Sequence, residues 1–138
     1  MPIASLRRPR IHIPGRRLLT ALPLIALPVL LAVDLASVAL VHLSVPDDAG
    51  EAARAGVSAV QFERSATPQQ AQLAFNAATQ VADLHRMTLD RESFTVYADG
   101  AVKLTASKKA PTLLFKHLPR LKDLTTASET VTISRSNW

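Results

Sequence analysis

The chain contains no cysteine. Disulfides and thiolate metal sites are therefore excluded, and an exported domain built from it must hold together by packing alone. Aromatic residues make up only 4% of it, with one Trp and one Tyr. Stacking platforms for single-stranded nucleic acid or sugars need more than that. There are four glycines, at positions 15, 50, 56 and 100, and no glycine-rich phosphate loop. His12, His42, His85 and His117 stand singly, without the paired spacing of a metal site. No Gly-x-Ser-x-Gly elbow occurs. The run Asp47-Asp48-Ala49-Gly50-Glu51 lacks the alternating oxygen ligands of a calcium loop and reads better as helix capping. The sequence thus offers no catalytic set, no cofactor site and no evident small-molecule substrate.

Positive charge is present in excess, +5 overall, but it is not spread evenly. Arg7, Arg8, Arg10, Arg16 and Arg17 stand in the first 33 residues, where there is no acid. Beyond them, basic and acidic side chains balance. The high pI of about 10.2 therefore comes from one short tail. Arginines flanking an apolar run mark the cytoplasmic side of a membrane helix. They are a topology signal rather than a nucleic-acid patch, and they also suit anionic lipid headgroups.

The apolar run is residues 18–45, LLTALPLIALPVLLAVDLASVALVHLSV. Residues 18–33 carry no charge, and Asp34 is the only formal charge before Pro46. A helix of about 20 apolar residues crosses a bilayer. The run is read as one transmembrane helix. A cleaved signal peptide is the alternative, but its apolar region is usually about 7–15 residues, shorter than this one. Ser37-Val38-Ala39 is also a poor cleavage site, crowded by Leu35 and Leu40. Pro23 and Pro28 lie inside the run and suit either a kinked anchor or packing against partner helices. Asp34 lies about 24 Å along a helix entered at Leu18, near the outer headgroups. There it can reach water; a buried proton or partner site is the other reading.

Beyond the membrane helix the chain divides into a helical stalk, residues 46–63, and a small exported domain, residues 64–138. Pro46 is expected to stop or bend the first helix, and Asp47 or Asp48 to cap a second. Ala49, Ala52, Ala53 and Gly56 give that stalk a small-residue face suited to close helix–helix approach. Thr67-Pro68-Gln69-Gln70 has a capping threonine, proline at the first helical position and glutamine three residues after the cap. The helix it opens carries Ala71, Ala74, Phe75, Ala78, Val81, Ala82 and Leu84 on one face, which should lie on a sheet. Residues 94–98 and 101–106 alternate on either side of Asp99-Gly100, a hairpin signal. Phe94, Val96 and Ala98 should share a face with Val102, Leu104 and Ala106. Residues 124–134 add a third strand. The leucines of residues 111–118 either cap the sheet, the favoured reading, or lean with neighbouring lysines on the membrane surface. The expected fold is α+β: a single transmembrane helix, a helical stalk, then one or two helices on a three-stranded antiparallel sheet.

Two stretches carry a family likeness. One is Ala32-Val33-Asp34-Leu35 followed by Asp48-Ala49-Gly50-Glu51-Ala52-Ala53-Arg54-Ala55-Gly56. The other joins residues 102–114, VKLTASKKAPTLL, to residues 124–133, LTTASETVTI. In these the chain resembles the TadE/TadG-like pilus-assembly proteins, the actinobacterial type above all. The resemblance covers about residues 18–134. It implies a non-enzymatic, single-pass, minor pilin-like component of a tight-adherence (Flp-type) system. Its partners would be other membrane helices or pilus-assembly proteins. Asp34, Ala49, Ala52, Ala53 and Gly56 would serve helix packing and assembly. The chain departs from related pilins around Thr20, where no glutamate follows the basic-to-apolar junction, and at Pro46, which interrupts a helix that is often continuous. A membrane-tethered or secreted binding module of the cell envelope is the alternative function.

Overall fold

The computed structural model describes residues 15–60 and 67–134, with side chains from residue 25 onward. The basic tail with Arg7, Arg8 and Arg10, and the end of the expected stalk at 61–63, lie outside the described residues. The fold is α+β: a long apolar helix, a second helix and a four-stranded antiparallel sheet.

Helix α1 runs unbroken from Gly15 to Ala59, 45 residues and about 67 Å. Arg16 and Arg17 fall in its first turn. The expected break at Pro46 does not occur. Pro46 sits on the exposed side of the helix, while Val45 and Ala49 on the inner side are fully buried, and that packing holds the helix through the one bond the proline cannot make. Apolar run and stalk are thus one helix, and Asp48 is an interior helical residue rather than a cap.

From Asp34 onward, α1 has a continuous inner stripe. Val41, Val45, Ala49, Ala52, Ala53, Gly56 and Val57 are buried at helical spacing. Helix α2 (Pro68–Leu84) packs against it through Ala74, Ala78 and Ala82. The capping box is as read from the sequence. The Gln70 amide donates to the Thr67 hydroxyl, and the Thr67 amide donates to the Gln70 side chain. The small face of α1 therefore does allow close helix–helix approach, but the partner is α2 of the same chain. A Cβ at Gly56 would stand 3.3 Å from the Ala74 carbonyl oxygen and 3.4 Å from Val102. Ala49, Ala52, Ala53 and Gly56, expected to serve helix packing and assembly, are buried in this intramolecular core.

The sheet is built on one strand, β3 (Val102–Lys109). β4 (Thr126–Ile133) pairs along all of it, from Val102↔Ile133 to Lys109↔Thr126. β1 (Met87–Leu89) and β2 (Thr95–Val96) also pair with β3, at residues 106–108 and 102–103 respectively. They share its other edge end to end. The sheet thus has four strands rather than the expected three, but is only three strands wide. β1 escapes sequence reading because three residues carry too little alternation. The hairpin between β2 and β3 closes at Tyr97 and Ala101 rather than at Asp99-Gly100 alone; Gly100 takes the positive φ of 80° that the turn requires.

Val102, Leu104 and Ala106 face the core, as the alternation predicts, with Phe94 and Val96 packed beside them; Ala98 is exposed. Phe75 of α2 meets Phe94 edge-on at 5.2 Å between ring centroids, and the Arg91 guanidinium lies over the Phe75 ring. This corner fastens α2 to the loop between β1 and β2.

Two stability outcomes follow from this packing. Gly56→Leu forces α1 and α2 apart and should cost roughly 3 kcal/mol or more, visible as a lowered thermal midpoint of the whole domain. Thr67→Ala removes only the α2 cap and should cost about 1 kcal/mol with the fold retained, by denaturant titration.

Candidate functional site: the joint between helix and domain

β3 runs antiparallel to α1. Its start lies beside Gly56, and the segment after its end descends the helix toward the apolar half. Ala110 and Ala127 pack on Val41 and Val45. Further down, the Ser37 hydroxyl donates to the Pro111 carbonyl at 2.9 Å. The segment ends on Asp34.

Asp34 is completely buried. Its Oδ1 accepts from the Leu113 amide at 2.7 Å. Its Oδ2 accepts from the amides of Leu114 at 2.7 Å and Phe115 at 2.9 Å. These amides open a 3-10 turn, Phe115–His117, and have no helical acceptor of their own. A carboxylate offers only acceptors, and three amides offer only donors, so the match is complete. Asp34 is thus neither in contact with water nor a site awaiting a partner. It is the first buried side chain among those described in α1.

Higher on the helix a second aspartate repeats the logic with a charged donor. Lys108 reaches across from β3 and donates to Asp48 at 2.8 Å and to the Ser44 hydroxyl at 3.3 Å. His85, at the end of α2, sets its two ring nitrogens 3.3 Å from Asp48 and 3.2 Å from Glu51. Asp48, expected as a helix cap, instead joins α1, α2 and β3. His42 lies 3.3 Å from the Leu124 carbonyl and closes the other side.

Between these clusters lies an open groove of about 860 Å³, walled by Val41, Leu84, Pro111 and Leu113 and lined by five basic side chains. His85 and Lys108 are held by acids. Arg86, Lys109 and Lys116 have no carboxylate of the described residues within ion-pair distance. The groove suits an anionic group with an apolar portion. Among the described residues, no cluster of three or more histidine, aspartate or glutamate side chains could hold a metal.

Ser37, Ser44, Lys108 and the 113–115 amides were not singled out from the sequence. The signal is present: Asp34, Ser37 and Ser44 recur at helical spacing within the apolar run and Asp48 continues the row just beyond it, marking one polar-stitched face.

No family model matches the chain, and neither a curated protein nor a solved structure does.

Asp34→Asn replaces one acceptor oxygen with a donor and sets it against an amide N–H. Hydrogen exchange at residues 113–115 should accelerate about tenfold or more while β3 amides near Gly56 stay protected, since local openings are decoupled from the core. Unchanged exchange there would show that the joint does not depend on the carboxylate.

Proposed function

We propose that the chain is a non-enzymatic, single-pass membrane protein, its N-terminus cytoplasmic and its α+β domain on the outer side. The observation that carries this reading is the mostly exposed apolar stretch of α1 at residues 25–33. One helix of the described residues is long and apolar enough to cross a membrane. Ile25, Leu27, Val29 and Val33 are all half exposed or more. Asp34 is the first fully buried side chain among those described in α1, and Leu30 and Leu31 just before it are partly covered. Residues 18–33 run on below that contact for about 24 Å, somewhat less than the hydrocarbon thickness of a bilayer. The membrane-embedded part is therefore residues 18–33, shorter than the apolar run, and Arg16 and Arg17 set its cytoplasmic end.

Within that frame we place the protein in pilus assembly, as a minor pilin-like component. The support is the resemblance around Asp34 and residues 48–56 and again at residues 102–114 and 124–133. The residues that carry it build the joint and core of the fold. Contacts with partner helices then fall on the opposite face of α1, where Leu35, Leu40 and Leu43 are exposed. The basic groove favours a second reading, an envelope-binding module tethered by the same helix.

Membranes should retain the protein at pH 11, and protease added to intact spheroplasts should remove residues 67–134 while sparing the N-terminal tail. Extraction at that pH, or protection of the domain, would overturn the topology. With topology established, Leu40→Arg should abolish co-purification of membrane partners if the protein assembles through α1. Retention of every partner would favour the binding module.

A further inference from the structure

The basal segment of the domain, residues 110–125, does not cap the sheet. Of its leucines, Leu113, Leu118 and Leu124 are about half exposed. Phe115 alone of its large apolar side chains is buried. Leu118, Pro119 and Leu121 line a shallow apolar recess, with Arg120 at its rim. Lys116, Arg120 and Lys122 are exposed in the same segment, against a single acid, Asp123. Lys116 also faces the Asp34 carboxylate, which leaves Arg120 and Lys122 with Asp123 alone; in a domain this small, exposed leucines and surplus cations in one loop call for a common cover.

The joint fixes where that loop sits. The 113–115 amides bind Asp34, directly beside the mostly exposed apolar stretch of α1. Given the proposed membrane span, on which this inference rests, the loop lies at the outer headgroup level. We infer that residues 113–124 form a collar resting on an anionic lipid surface, leucines in the acyl boundary and Lys116, Arg120 and Lys122 among the headgroup phosphates. Apolar side chains interleaved with cations are what such an interface binds. The occupant is the bilayer itself: charge complementarity selects it, and the pinned loop is continuous with the membrane helix. Asp34 is then a level marker, setting the height of the domain above the bilayer.

Lacking cysteine, the full chain takes single labels cleanly. Leu27→Cys, Leu118→Cys and Tyr97→Cys, each carrying an environment-sensitive fluorophore, are reconstituted into vesicles of neutral lipid and of neutral lipid with a third phosphatidylglycerol. The 118 label should be quenched by shallow spin-labelled lipid in the anionic vesicles, and the 97 label, on the far hairpin, should not. The triple variant Lys116→Glu, Arg120→Glu, Lys122→Glu should lose at least half of the 118 quenching. Hydrogen exchange of the unlabelled protein should show matching protection of residues 113–124. Quenching at 27 without quenching at 118 overturns the collar and leaves the span intact. No quenching at 27 overturns the span and the collar together. A 118 label shielded from aqueous iodide yet untouched by lipid quencher means that protein covers the loop, and also overturns the proposal.

Discussion

The position of the domain depends on one carboxylate and three amides. A helix that is apolar on all sides gives a packed domain no preferred height or rotation. Hydrophobic burial is non-directional, and a slide by one turn would bury similar area. Asp34 removes that freedom. A buried carboxylate left without donors is costly, and three aligned amides satisfy it in one geometry only. Turning α1 by one residue would present Val33 or Leu35 to those amides instead. The Lys108–Asp48 pair, fourteen positions further along α1, fixes the helix a second time. With both ends of the contact specified, the apolar residues between them need only be the right size.

That size is small. Alanine and glycine let α1 approach α2 closely and meet β3 behind it, so one helix face serves two layers. Each such residue buries little area, and the buried side chains larger than valine are few: Leu104, Met87 and Phe115. A domain with this core gains much of its order from directional contacts rather than from bulk. This explains why polar groups recur along a helix that composition alone assigns to the membrane.

The legible parts of the fold were those with repeated local signals. The Thr67-Pro68-Gln70 cap, the alternation around β3 and the strand at Val131 and Ile133 can all be read from a few residues. Pro46 reads locally as a stop, but the packing of Val45 and Ala49 on the other side of the helix outweighs the one bond it removes. The joint was hidden for a different reason. Asp34 and its three amides are about 80 positions apart, and no local pattern links an acid in one helix to a loop that distant. Likewise, the small face of residues 49–56 announces close packing but not with whom; only the fold shows that α2 occupies it.

The long sequence separation of the joint has a consequence for biogenesis. A ribosome delivers α1 first and the strands that clasp it last. Until β3 and β4 have emerged, the inner stripe of α1 is unsheltered, and Asp34 has none of its three donors. A chain threaded across a membrane would therefore hold its anchor before it could dock its domain. Docking would complete only with the final strands, as expected where long-range pairing closes a fold. The helix would serve first as a tether and only afterwards as a wall of the core.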